Sequence, residues 1–209
     1  MKLRRVQSVA IGTTAVLVLT WAVLGTAHSQ PETTADPVLA MIREAQVDLS
    51  PTGKTVSDCI VVYSSGRFQR RLRHQQLPEK TTSVDSFESS LSDSQLRQFR
   101  HLIEAQNLHS QLPFVLPKFP VTLAWMTIFE VTLPEGGGMQ RIGFFDWTGG
   151  DPGNSLASTP AEVKQSWQDS KIALRPLADW FHSVQGLKMD PSTTEPLMCD
   201  NPTNDGQSK

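Results

Sequence analysis

Apolar residues in this chain recur with a period of two in some stretches and between three and four in others, which separates strands from helices. Cys59–Tyr63 is a compact β-branched run that predicts a buried strand. Ser64-Ser65-Gly66 turns the chain, and Arg67–His74 returns as the second strand of a hairpin. On that strand Phe68, Arg70 and Leu72 alternate with Arg67, Gln69, Arg71 and Arg73, so the second face is polar and expected to be wet. Val84–Leu91 predicts a third strand, with Phe87, Ser89 and Leu91 on one side. Leu123–Leu133 and Met139–Trp147 read as a further hairpin around Pro134-Glu135-Gly136-Gly137-Gly138.

Helical spacing appears elsewhere. Ser92-Asp93-Ser94-Gln95 has the form of a capping box, and Leu96, Phe99, Leu102 and Ile103 follow as one apolar stripe, predicting a helix that stops near Asn107. Thr159-Pro160-Ala161-Glu162 opens another, with Thr159 as the cap and Pro160 in the first turn. A second start at Asp169-Ser170 leads through Ile172, Leu177, Trp180, Phe181 and Val184 to Gly186, with Pro176 expected to bend the segment or mark its first turn. Val38, Leu39, Ile42 and Val47 fit a short helix. The order of elements predicts an α+β domain: an antiparallel sheet of about four or five strands, two or three helices on one face, and the other face in water.

The first 29 residues change the picture. Lys2, Arg4 and Arg5 precede an uncharged stretch, Val6–Ala27, densest over Ala15–Leu24, and Ala27-His28-Ser29 follows as a small-residue cleavage pattern. This is the layout of a secretory signal peptide cut after Ser29; the rival expectation is an uncleaved anchor, for which Val6–Ala27 is long enough. The expected organisation is therefore a signal peptide over 1–29, a lead-in over 30–55, one α+β domain over 56–187 and an irregular tail over 188–209. Loss of Lys2, Arg4 and Arg5 with the leader takes the basic residues from 19 to 16 against 21 acidic, net −5, which argues against nonspecific nucleic-acid binding.

Export gives the two cysteines meaning. Cys59 and Cys199 form an even pair near the two ends of the folded region, and in an oxidising compartment such a pair is expected to bridge and hold the tail; two unpaired thiols are the alternative. Their spacing fits neither a redox CxxC motif nor a zinc cluster. Candidate chemistry is otherwise thin. His74, His101, His109 and His182 show no metal-ligand spacing and suit surface or capping roles, so neither a metal nor a cofactor is expected. There is no GxSxG, and Cys59 sits in an apolar run unsuited to a reactive thiolate. Asp146, Asp151 and Glu130 are the carboxylates nearest aromatic or glycine-rich surroundings; two of them at a set separation could serve acid–base work on a glycan, although Asp151-Pro152-Gly153-Asn154 is also ordinary turn chemistry.

Arg67, Arg70, Arg71 and Arg73, with His74, form the one clear charge cluster, suited either to gripping an anionic group or to guarding a sheet edge. Of Trp125, Trp147, Trp167 and Trp180, the latter two lie on helical stripes and Trp147 is the one expected to be exposed. Cys59–Leu112, with its short strand, turn glycine, charged return strand and the Leu91-Ser92-Asp93-Ser94-Gln95-Leu96 helix start, resembles bacterial secreted or periplasmic proteins of unknown function. That resemblance implies an exported α+β protein and carries over no catalytic residue. The expectation is a periplasmic or secreted, non-enzymatic binding module whose partner is an envelope protein or a glycan. The alternatives are an extracytoplasmic hydrolase using Asp146 and Asp151 beside Trp147, and an envelope protein anchored through residues 1–29.

Overall fold

A computed structural model describes residues 36–48, 50, 52–76, 81–115, 125–148, 159–194 and 199. Residues 1–35, which include the expected leader, Asp151 and most of the tail lie outside these residues. The described elements are β1 (Val38–Asp48), β2 (Lys54–Tyr63), β3 (Arg67–Gln76), β4 (Thr81–Ser90), α1 (Asp93–Ile103), α2 (Gln106–His109), β5 (Trp125–Glu135), β6 (Gly138–Thr148), α3 (Ala161–Gln185) and β7 (Asp190–Pro191). The class is α+β. The strands form one antiparallel sheet in the order β6-β5-β1-β2-β3-β4-β7, so the sheet has seven strands where four or five were expected.

Two segments make the difference. β7 is a two-residue strand, pairing Pro191 with Phe87 and Asp190 with Glu88, too short to carry a periodic signal. The larger correction is β1, expected to be a short helix and in fact an 11-residue strand. Ala40, Met41, Arg43, Glu44, Ala45 and Gln46 are good helix formers, but β1 is hydrogen-bonded along both edges, to β2 and to β5. Two ladders and burial of Ala40 and Ile42 outweigh a per-residue helix preference of at most about 0.7 kcal/mol. The sheet therefore starts at Val38, upstream of the expected boundary at residue 56.

One face carries the helices. Ala40, Ile42, Ile60, Val62, Phe68, Phe129, Val131 and Ile142 meet Phe99 and Ile103 of α1 and Leu174, Leu177, Trp180, Phe181 and Val184 of α3. Phe99 lies 4.3 Å from Trp180 by ring centroids, and Phe129 meets Phe181 edge-on at 5.8 Å. Burying each such phenyl ring contributes about 1.5–3 kcal/mol. The Ser92 capping box forms as expected: the Gln95 backbone N–H donates to Ser92 Oγ (3.4 Å), and the Ser92 N–H donates to Gln95 Oε1 (2.8 Å). α1 stops at Ile103, earlier than expected; His109 Nε2 lies 3.1 Å from the Ile103 carbonyl, within reach of that helix end.

α3 is one helix of 25 residues, not two. Pro176 is tolerated inside it because Pro176 and Ile172 face solvent, so water can meet the carbonyl the ring leaves unbonded. Its cap is Pro160 rather than Thr159, with no side-chain hydrogen bond. The C-terminal end is held by Arg70, which donates through Nη1 to the Gln185 carbonyl (3.2 Å) and forks onto Asp58 through Nε (2.9 Å) and Nη2 (2.6 Å). The β5–β6 hairpin closes on Gly136 and Gly137, both at positive φ (54° and 87°), as a two-residue turn with this twist requires.

The opposite face was expected to be wet, and it is covered in two places. At the β6 edge the Phe114 N–H donates to the Arg141 carbonyl (2.9 Å), and Phe114 joins Ala45, Met126, Ile128 and Trp167 in a second apolar cluster. Over β2, Cys199 meets Cys59, Met41 and Val61. The two cysteines are disulfide-bonded, with Cα atoms 6.0 Å apart. Between these covers lies a polar strip of sheet, and it holds the charged residues of interest.

Candidate functional site

Sheet register builds the site. Arg43 stands opposite Glu130 on β5 and Cys59 on β2, and Cys59 stands opposite Arg71 on β3. One row along, Ala45, Ser57 and Arg73 are paired in the same way. Directly paired residues in antiparallel strands share a face. Because Ile42 and Ile60 point to the helices, these two rows point away from them.

The result is a hollow of about 190 Å³ lined by Arg43, Thr55, Ser57, Cys59, Arg71, Arg73, Gln75 and Cys199. Its floor is the sheet, and one wall is the disulfide. Arg43 donates through Nε to Ser57 Oγ (3.1 Å) and lies 3.7 Å from Glu130 Oε2 through Nη1. Glu130 itself is buried and accepts a close hydrogen bond from Arg141 Nη2. Arg43 Nη1 and Arg73 Nε are buried without a hydrogen-bond partner among the described residues. Burial holds the Arg43 guanidinium below the usual arginine range; Glu130 opposes that shift, while Arg141 and Arg73 add to it by like-charge repulsion. Guanidinium groups held in a hollow with donors to spare suit an oxyanion.

The arginine cluster read from the sequence divides by strand parity. Arg71 and Arg73 line the hollow. Arg67 lies at the start of β3, over the Tyr63 ring at 4.0 Å and 3.8 Å from both Asp36 and Glu88. Arg70 faces the helices and is bonded to Asp58, so it belongs to the fold and not to the hollow. Arg43 was not among the expected site residues, because its segment reads as helix. In a strand reading, its register with Cys59 would have placed it beside Arg71.

The carboxylate reading fares differently. Asp146 pairs with Lys171 at 2.5 Å on a partly exposed surface. A cavity of about 260 Å³ adjoins it, lined by Phe145, Trp147, Lys164, Trp167, Gln168 and Lys171, and Asp146 is the one carboxylate among its described lining residues. Asp151 lies outside the described residues. Trp147, expected to be exposed, is half-buried against the Phe114–Trp167 cluster; among the described residues the exposed tryptophan is Trp125, at 53%. His182 lies 2.6 Å from Glu44 on the helix side.

Among the described residues no group of three or more His, Cys, Asp or Glu could hold a metal ion, and no helix is long and apolar enough to cross a membrane. No family model and no curated protein matches this chain.

Proposed function

We propose that this protein is an exported binding module that takes an anionic group of its partner into the arginine-lined hollow between β1, β2 and β3. The observation that carries this reading is that Arg43, Arg71 and Arg73 line one small cavity, where Arg43 Nη1 and Arg73 Nε are buried without a hydrogen-bond partner among the described residues. Burying cations costs free energy unless they are paired, and a bound anion returns it. The leader-like opening and the Cys59–Cys199 bridge support export to an oxidising compartment, as does the resemblance to secreted proteins. An envelope protein or a glycan bearing acidic groups is the partner class this site suits.

Two measurements test the reading. Calorimetric titration of the oxidised, leader-free protein with benzoate, benzenesulfonate and phenyl phosphate should give saturable binding of at least one, and none of neutral benzyl alcohol. Failure of all three anions to bind rejects the site. For export, intact mass of the protein recovered from its native cell should begin at Gln30; recovery of the whole chain from cytosol, with both thiols reduced, rejects that half.

A further inference from the structure

We infer that the group held in the hollow is a dianionic phosphate monoester, an inference that rests on the anion-binding reading above. Charge and size both favour such a group. Arg71 left aside, the guanidiniums of Arg73 and Arg141 both act on that of Arg43, which shares the single carboxylate Glu130 with Arg141, and the three leave a surplus of two positive charges among the described residues of this strip. A carboxylate or sulfonate ligand neutralises about half of that surplus; a phosphate monoester, carrying about −1.5 to −2 at neutral pH, neutralises about three quarters or more of it. Ser57 and Thr55 on β2 add hydroxyls and Gln75 on β3 an amide, so a tetrahedral group with three terminal oxygens finds donors on two strands. The volume, about 190 Å³, lies below the roughly 300–1,000 Å³ that whole drug-sized ligands occupy. It accommodates one functional group and leaves the body of the molecule outside, over the sheet. The disulfide wall and the sheet floor keep water from screening the contact on two sides.

The described lining residues include no histidine and no carboxylate. The charged groups facing the hollow are guanidiniums, with Glu130 behind Arg43 and Arg141, and arginine as a residue type ionises far above the interval from pH 5 to 7.5. A pH dependence of binding over that interval therefore reports the ligand, whose second ionisation lies near about 6.

The same three probes decide the matter. Phenyl phosphate at pH 7.5 should bind about tenfold more tightly than benzenesulfonate, a tetrahedral monoanion, and than benzoate, a planar one. Its affinity should fall about fivefold or more at pH 5, while the other two change little. Arg73→Gln should lower phenyl phosphate affinity about tenfold with the melting temperature kept, and Arg73→Lys should recover part of the loss. Equal affinity for the three anions, or a flat pH profile for phenyl phosphate, overturns the dianion inference while leaving an anion site standing. Binding of none of them removes the site itself.

Discussion

Arg70 shows how much a single side chain can hold in this protein. Its fork on Asp58 and its bond to the Gln185 carbonyl join β2, β3 and the end of α3, and Gln185 Nε2 donates back to Asp58 at 2.9 Å. Removing only the cation strands a carboxylate that is 8% exposed. Arg70→Met should cost about 3–5 kcal/mol in urea unfolding, and Arg70→Met with Asp58→Leu should recover much of it, because no buried charge is then left alone. Asp36 works at the surface. Hydrogen bonds from Ser65 and Ser64, with Arg67 nearby, hold its carboxyl below the usual range. The folded value lies under the unfolded one, so the gain is full above about pH 4 and fades as pH falls through the folded value. The stability difference between the native protein and Asp36→Asn should therefore be larger at pH 7 than at pH 2, measured by urea titration at both. The residues of β3 were legible in advance because a period of two sorts Phe68, Arg70 and Leu72 from Arg67, Arg71 and Arg73 without reference to the rest of the chain. Arg43 was not, since nothing local to it says which strands flank it.

Among elements, β1 and α3 are the instructive pair. Both defied local signals for reasons that lie outside them: β1 is bonded along both edges, and α3 carries Pro176 on its wet side. The hairpins and α1 were readable because their determinants sit within a few residues, in Gly136-Gly137 and in the Ser92–Gln95 box. β6 adds a case where an element is shaped by what crosses it. A Cβ on Gly143 would lie 2.8 Å from the Phe129 carbonyl oxygen and 2.9 Å from Phe114 Cγ. Gly143→Ala should destabilise by about 1–3 kcal/mol, visible as a lowered melting temperature. Phe114→Ala in the same background should relieve only part of this strain, because the Phe129 carbonyl belongs to the β5 ladder and cannot move aside.

For the whole molecule the Cys59–Cys199 bridge is the dominant device. It spans 140 residues, and chain-entropy reasoning assigns a loop of that length about 5 kcal/mol at most. Dithiol reduction, or Cys199→Ser, should lower unfolding stability by several kcal/mol up to about that figure, and should weaken anion binding because a wall of the hollow is lost. The pairing was foreseeable from cysteine count and an export-like leader; its second role, as part of a cavity, depends on which strand carries Cys59 and which arginines stand next to it. The bridge has one more effect, on survival after damage. Every described element from β3 to β7 lies between its two sulfurs. A protease that cuts once anywhere in that span cannot release a fragment: the nicked chain stays a single covalent body, migrates near full length on a non-reducing gel, and falls into two pieces only when thiol is added.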